Sequence, residues 1–222
     1  STAQLIQPQV DNPRRMGKIV LYGTSIQQGG CASRTGMVPS AMIQRDFKLG
    51  CVNLATSGQA RMDFYIAQAM ASIDDAICYV IDPVPNCTKD RCDTATYDFI
   101  KILRTLRPEV PIIMVEGLMY PYTRHDSYLA EYLPQKNECF HNGYELHKKE
   151  NPKGLYYMTH DGQTGPEMEG TVDGIHLTDY GFRAYADLLE IKIKEALDKT
   201  KVKYGLKPAY NVVRKKTRAQ RK

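Results

Sequence analysis

The sequence predicts an α/β fold in which a parallel sheet carries helices on both faces. Short apolar runs rich in β-branched residues recur between residues 18 and 158. Longer stretches of helical character alternate with them, and the connections are short. Alternation of this kind argues for βαβ units, and short connections favour right-handed crossovers. A chain of 222 residues, 42% hydrophobic and 25% charged, has the size and balance of one globular domain with a large core.

The elements follow in order. Lys18-Ile19-Val20-Leu21-Tyr22 reads as a buried strand, and Gly23 permits the tight turn that ends it. A helix near 38–47, a strand at 51–54, a helix near 62–74 and a strand at 78–82 come next. Then come a helix at 94–107, a strand at 111–116, a helix near 134–150, a strand at 155–158 and a helix at 177–198. Thr178 is placed to cap the last helix. Residues 1–17 are polar, contain Pro8 and Pro13, and read as a leader or linker. The domain is expected over 18–200, with a flexible basic tail over 201–222. There is no internal repeat, and Gly29-Gly30 is not followed by the lysine of a phosphate loop.

The formal charge of +5 belongs to that tail. Nine Lys or Arg and no acidic residue lie in 201–222, which leaves 21 basic and 25 acidic residues elsewhere, a body of about −4. No nucleic-acid-binding motif accompanies the basic run, so no nucleic-acid partner is expected. No apolar stretch approaches membrane-spanning length, so membrane insertion is not expected either. No signal peptide is present, and a secreted or periplasmic protein with its signal removed would read the same way. Compartment and oligomeric state are left open.

The six cysteines, at 31, 51, 78, 87, 92 and 139, form no Cys-x-x-Cys pair. His141 and His147 are six residues apart, which is not ligand spacing. Neither a metal nor any other cofactor is therefore expected. Cys51 and Cys78 lie in core strands, whereas Cys87 and Cys92 bracket one loop and can bridge in an oxidising compartment.

Four patches carry chemistry. Ser25 follows the first strand, at the carboxyl edge where open α/β sheets place their ligands. Gln27 stands where the nucleophile elbow of α/β-hydrolases needs glycine, so that fold is disfavoured. Asp173 and His176 share one loop before the last helix. A serine nucleophile needs an imidazole to take its proton, and the imidazole needs an acceptor to fix its tautomer. Gly58, after the second strand, can offer an unobstructed backbone N–H. Asn86, stiffened by Pro83 and Pro85, can offer an amide to a developing oxyanion. Each patch alone has a plainer explanation: a turn serine, a turn aspartate, a surface histidine, an asparagine beside proline.

Taken together, Tyr22-Gly23-Thr24-Ser25, the run 53–58 (Asn-Leu-Ala-Thr-Ser-Gly), the run 79–86 (Tyr-Val-Ile-Asp-Pro-Val-Pro-Asn) and the run 173–179 (Asp-Gly-Ile-His-Leu-Thr-Asp) resemble the four blocks of SGNH hydrolases, the GDSL-type esterases. The resemblance covers roughly 17–197 and points to a bacterial subgroup that often carries a β-rich domain ahead of the hydrolase. It implies a flavodoxin-like, three-layer α/β/α sandwich around a five-stranded parallel sheet. It also implies Ser25 as nucleophile, His176 as base and Asp173 as its partner. The N–H groups of Ser25 and Gly58 and the amide of Asn86 would form the oxyanion hole. Thr24 departs from the aspartate of the Gly-Asp-Ser form, and Asn86 follows Pro-Val-Pro rather than the Gly-x-Asn-Asp form.

The expected activity is hydrolysis of small O-acyl esters, chiefly acetyl on a carbohydrate, since no long apolar lid segment is present and the edge loops mix tyrosine with polar residues. The expected partner is accordingly a small-molecule or oligosaccharide ester. The alternatives are an esterase or thioesterase for another small acyl donor, or a carbohydrate-binding domain without catalysis. Tyr120 and Tyr122, after the fourth strand, can stack on a sugar or line an acyl pocket. Arg34 and Arg61, in loops on the same edge, can bind an acidic group or form surface ion pairs.

Overall fold

Five apolar runs become five paired strands. A computed structural model of the chain describes residues 17–165, 167–202 and 204. The strands are β1 (Lys18–Gly23), β2 (Gly50–Asn53), β3 (Ala76–Asp82), β4 (Ile112–Val115) and β5 (Leu155–Met158). All pair in parallel in the order β2-β1-β3-β4-β5. This is the flavodoxin-like order, in which the winding reverses between β1 and β3 and leaves a crevice at their carboxyl ends.

Strand alternation sorts the core into two layers. Ile19 and Leu21 of β1 point to one face, with Met42, Ile43 and Phe47 of α2 (Pro39–Phe47) and Phe182, Leu189 and Ile193 of α6 (Asp179–Leu197). Val20 and Tyr22 point to the other. There they join Met70 of α3 (Phe64–Ala71), Phe99 and Leu103 of α4 (Lys89–Leu106) and Phe140 of α5 (Ser127–Glu150). The result is the expected three-layer sandwich. Leu21 is wholly buried; truncating such a side chain to alanine typically costs about 2–5 kcal/mol.

Several boundaries differ from expectation, each for a local reason. Ser25–Gln28, with no helix expected there, is a helical turn, α1, whose Ile26 N–H is capped by Thr24 Oγ1 at 3.3 Å. α4 begins five residues before the expected 94, because Thr88 Oγ1 accepts the Arg91 N–H at 3.1 Å. α5 begins at Ser127 rather than near 134. Asp126 caps it by accepting the Leu129 N–H at 2.9 Å, and Pro134 falls inside the helix instead of opening it.

The expected leader lies outside the described residues except for Gly17, and most of the expected tail, 205–222, does too. The start of that tail is not free of the body. Val202 and Tyr204 pack on the α2–α6 core, the Tyr204 ring lying 5.4 Å from that of Phe47. Among the described residues no helix is long and apolar enough to cross a membrane.

Candidate active site

β1 delivers Ser25 to the crevice as the first residue of α1. The 20-residue stretch between β5 and α6 delivers Asp173 and His176 to the same place. Ser25 Oγ lies 2.9 Å from His176 Nε2, and His176 Nδ1 lies 2.7 Å from Asp173 Oδ2. The other carboxylate oxygen, Asp173 Oδ1, accepts the backbone N–H groups of Ile175 at 3.0 Å and His176 at 2.7 Å. The His176 ring and these N–H groups hold the Asp173 carboxyl well below the usual carboxylate range. An ionised carboxylate only accepts. Nδ1 must then carry the ring proton, which leaves Nε2 to accept from the serine hydroxyl. Residues 151 apart in sequence thus form one relay.

The proposed oxyanion donors follow the carboxyl ends of β1, β2 and β3, adjacent strands of the sheet. Thr24 takes the Ile26 N–H, while the Ser25 N–H, at the helix start, has no intrahelical acceptor. Gly58 has φ +71°, a left-handed conformation that glycine adopts without strain, and sits in an exposed loop. That loop is tied to the site, because Thr56 N–H donates to Gly23 O at 2.9 Å and Ser57 N–H to Gln28 Oε1 at 3.0 Å. Asn86 Oδ1 accepts the Ala60 N–H at 3.3 Å, which turns its amide hydrogens away from that contact. Behind the asparagine, the buried Lys136 ammonium donates to Pro85 O at 3.2 Å and braces the Pro-Val-Pro loop.

The expected substrate-contact residues divide. Tyr120 does not present its ring: it is nine-tenths buried in the core, and burial pushes its hydroxyl pKa up to about 12. Tyr122 is half-exposed, and its hydroxyl donates to the backbone carbonyl of Asp173. Arg61 is exposed and donates to Gly58 O at 3.4 Å. Arg34 is exposed beside Ser33 Oγ at 3.2 Å, with Asp179 3.9 Å away.

Two polar networks escaped the sequence reading. In the first, Glu116 immediately follows β4, and its Oε2 accepts the His160 N–H at 2.9 Å and lies 2.6 Å from His160 Nδ1. Gln163 Nε2 donates to Glu116 O at 3.0 Å and Thr159 O at 3.2 Å. In the second, Asp82 at the end of β3 is fully buried and accepts from Tyr185 at 2.9 Å. Burial raises its carboxyl to about 8 against the lowering effect of that hydroxyl. A carboxylate closing an apolar strand at this edge is the signal that could have found both. Among the described residues no cluster of His, Cys, Asp or Glu could hold a metal ion, and all six cysteines are free.

The profile of the GDSL-like Lipase/Acylhydrolase family matches residues 16–194. The chain belongs to that family. No curated protein matches it. A structure from Bacteroides ovatus, described as that of a GDSL-like lipase, is 33% identical with a TM-score of 0.81 over 89% of this chain and 56% of its own. The salicylyl-acyltransferase SsfX3 of a tetracycline biosynthetic pathway is 18% identical, TM-score 0.69, over 89% of this chain and 58% of its own. A family two carbohydrate esterase from Clostridium thermocellum, in complex with cellohexaose, is 17% identical, TM-score 0.63, over 88% of this chain and 68% of its own. The last two share the fold at low identity. The chain thus spans little more than half the length of the first two structures.

Proposed function

We propose that this GDSL-family chain is a serine esterase that removes small acyl groups, acetyl in the first place, from hydroxyls of a carbohydrate. The observation that carries the reading is the unbroken relay from Ser25 Oγ through His176 to Asp173, at 2.9 and 2.7 Å. Family membership and the fold shared with carbohydrate esterases support it.

In this reading Ser25 Oγ attacks the ester carbonyl as His176 Nε2 takes its proton. The Asp173 carboxylate stabilises the imidazolium that results. Negative charge gathers on the former carbonyl oxygen, where the N–H groups of Ser25 and Gly58 and the Asn86 amide receive it. His176 then gives its proton to the leaving sugar oxygen, and the acyl group stays on Ser25. A water, activated by His176 in turn, releases the acid and restores the serine. The exposed Arg61, beside Gly58, suits a polar alcohol portion better than a lipid chain.

Steady-state hydrolysis of p-nitrophenyl acetate, butyrate and octanoate, with acetate release from acetylated oligosaccharides, tests the reading. The expected order is acetate first, with Ser25→Ala inactive throughout. A preference for octanoate, or turnover that survives Ser25→Ala, contradicts it.

A further inference from the structure

The Asp173–His176 pair rides on residues 159–178, whose sole strand-type pairing among the described residues is the bridge between Thr171 and Leu177. The contacts that join Asp173 to His176 lie inside this loop and move with it. They fix the imidazole relative to the carboxylate but not relative to Ser25, which opens α1 just past β1. At its far end the loop is anchored by Leu177, wholly buried in the core, and by Ser33, whose N–H and hydroxyl donate to Asp179; the stretch that carries Asp173 needs a further support.

The connection between β4 and α5, residues 116–126, touches the loop at both ends. At the root, the Glu116 side chain is 11% exposed and receives both the backbone N–H and the ring of His160, while Gln163 closes onto the Glu116 carbonyl. Hydrogen bonds to a buried carboxylate are charge-assisted and among the stronger ones. At the tip, the Tyr122 hydroxyl donates to Asp173 O. Gly174 has φ +84°, and a Cβ there would come within 2.5 Å of the Tyr122 ring. The turn therefore lies directly on that ring. Tyr122 is itself fixed, since His125 N–H and Asp126 N–H both donate to its carbonyl at 2.9 Å. Asp173 is thus held from two sides, by His176 at its carboxylate and by Tyr122 at its main chain.

We infer that the β4–α5 connection is a brace for the acid–base loop, with Tyr122 and Glu116 as positioning residues that set His176 against Ser25. The inference rests on the esterase reading for its kinetic consequence, but not for its structural one. Loosening the brace leaves the substrate surface intact and lets the imidazole wander from the serine, so kcat falls while KM holds.

The test uses Tyr122→Phe, Glu116→Gln and the double variant. Phenylalanine keeps the ring against Gly174 and removes only the hydroxyl of a half-exposed residue, so this variant reports even if Glu116→Gln folds poorly. Turnover of p-nitrophenyl acetate is measured alongside the low-field proton resonance of His176 Nδ1–H, assigned with His176→Ala. Each single variant should lower kcat about fivefold with KM within about twofold, the size expected when one hydrogen bond that aligns a reacting group is lost. The His176 resonance should broaden or vanish in Tyr122→Phe. The double variant should lose less than the product of the singles, because a loop freed at one end has less to lose at the other. A raised KM with unchanged kcat and an unchanged resonance would overturn the inference and make Tyr122 a substrate contact. Wild-type turnover with no change of kcat or resonance in either variant would also overturn it, leaving the esterase reading standing. A wild type inactive on every ester, whose His176 resonance is nonetheless lost in Tyr122→Phe, would support the brace and reject the esterase reading.

Discussion

Two histidines of one loop each pair with a carboxylate in almost the same way. His176 meets Asp173 at 2.7 Å through Nδ1, and His160 meets Glu116 at 2.6 Å through Nδ1. In each pair the carboxylate also takes the histidine's own backbone N–H. Each carboxyl lies below its ordinary value, although burial works against the shift at Glu116. The difference lies at the far nitrogen. His176 Nε2 faces the hydroxyl of Ser25 at 2.9 Å, whereas His160 Nε2 has Asp161 Oδ1 at 3.9 Å. A fixed tautomer therefore does not by itself make a serine–histidine–carboxylate geometry. The third group makes one pair a relay, and its absence leaves the other a tie between two loops.

The largest effect that can break this comparison is removal of each imidazole in turn. His176→Ala should lower kcat by roughly 10³-fold or more, as deletions from serine triads do. His160→Ala should lower it no more than about tenfold, the scale of a lost alignment, and should lower Tm. Equal losses in the two variants, measured at one temperature below both melting transitions, would make the pairs equivalent and defeat the account. Asp173→Asn should fall between them, since it disturbs orientation and charge but leaves the base in place.

Next in size comes Asn86. Loss of one side-chain oxyanion donor typically costs on the order of 10²-fold in kcat. Asn86→Ala should show this in kcat rather than KM, because the developing oxyanion accepts more strongly than the ester carbonyl. A change confined to KM would leave Asn86 a turn residue.

The smallest effect separates the pairs by pH. Its hydrogen bond to Glu116 raises the His160 pKa above 6.5, so that contribution to stability is complete below 6.5 and lost as pH climbs through the raised value. Burial pushes the Glu116 carboxyl up, but the His160 contacts together with the Tyr157 hydroxyl outweigh it and hold the group below 4.5. Its contribution is complete above 4.5 and lost as pH falls through the lowered value. Asp161 and the buried Tyr157 hydroxyl also face the pair and bias it in the same sense at His160 and Glu116 respectively. The Tm gap between wild type and Glu116→Gln should therefore be widest between about 4.5 and 6.5 and narrow on either side. A gap that is flat from pH 4 to 9 would show a neutral contact.

Most of the fold was legible because buried parallel strands are near-continuous apolar runs, and all five fall within two residues of expectation. Helix starts were less legible. Thr88 and Asp126 cap from positions without an obvious apolar period behind them, and Pro134 resembles a boundary it does not form. Ser25, Asp173 and His176 could be singled out because each sits in a short local pattern. Glu116 carried a signal of its own as a carboxylate closing β4, but its pairing with His160 did not, since 44 residues separate them and no spacing rule joins them. Tyr120 misled because an aromatic residue in a loop says nothing of which way its ring turns, and this one turns inward. Val202 and Tyr204 misled in the opposite sense, being two apolar side chains hidden in a run of like charge.

In the proposed esterase one pair activates Ser25 and the other does not. Labelling with a fluorophosphonate, read by peptide mass spectrometry in wild type, His176→Ala and His160→Ala, tests it most directly. Adduct is expected on Ser25 in wild type, with labelling collapsed in His176→Ala and retained to within about tenfold in His160→Ala. Adduct on another residue, or labelling of Ser25 that survives His176→Ala but is lost in His160→Ala, would contradict it.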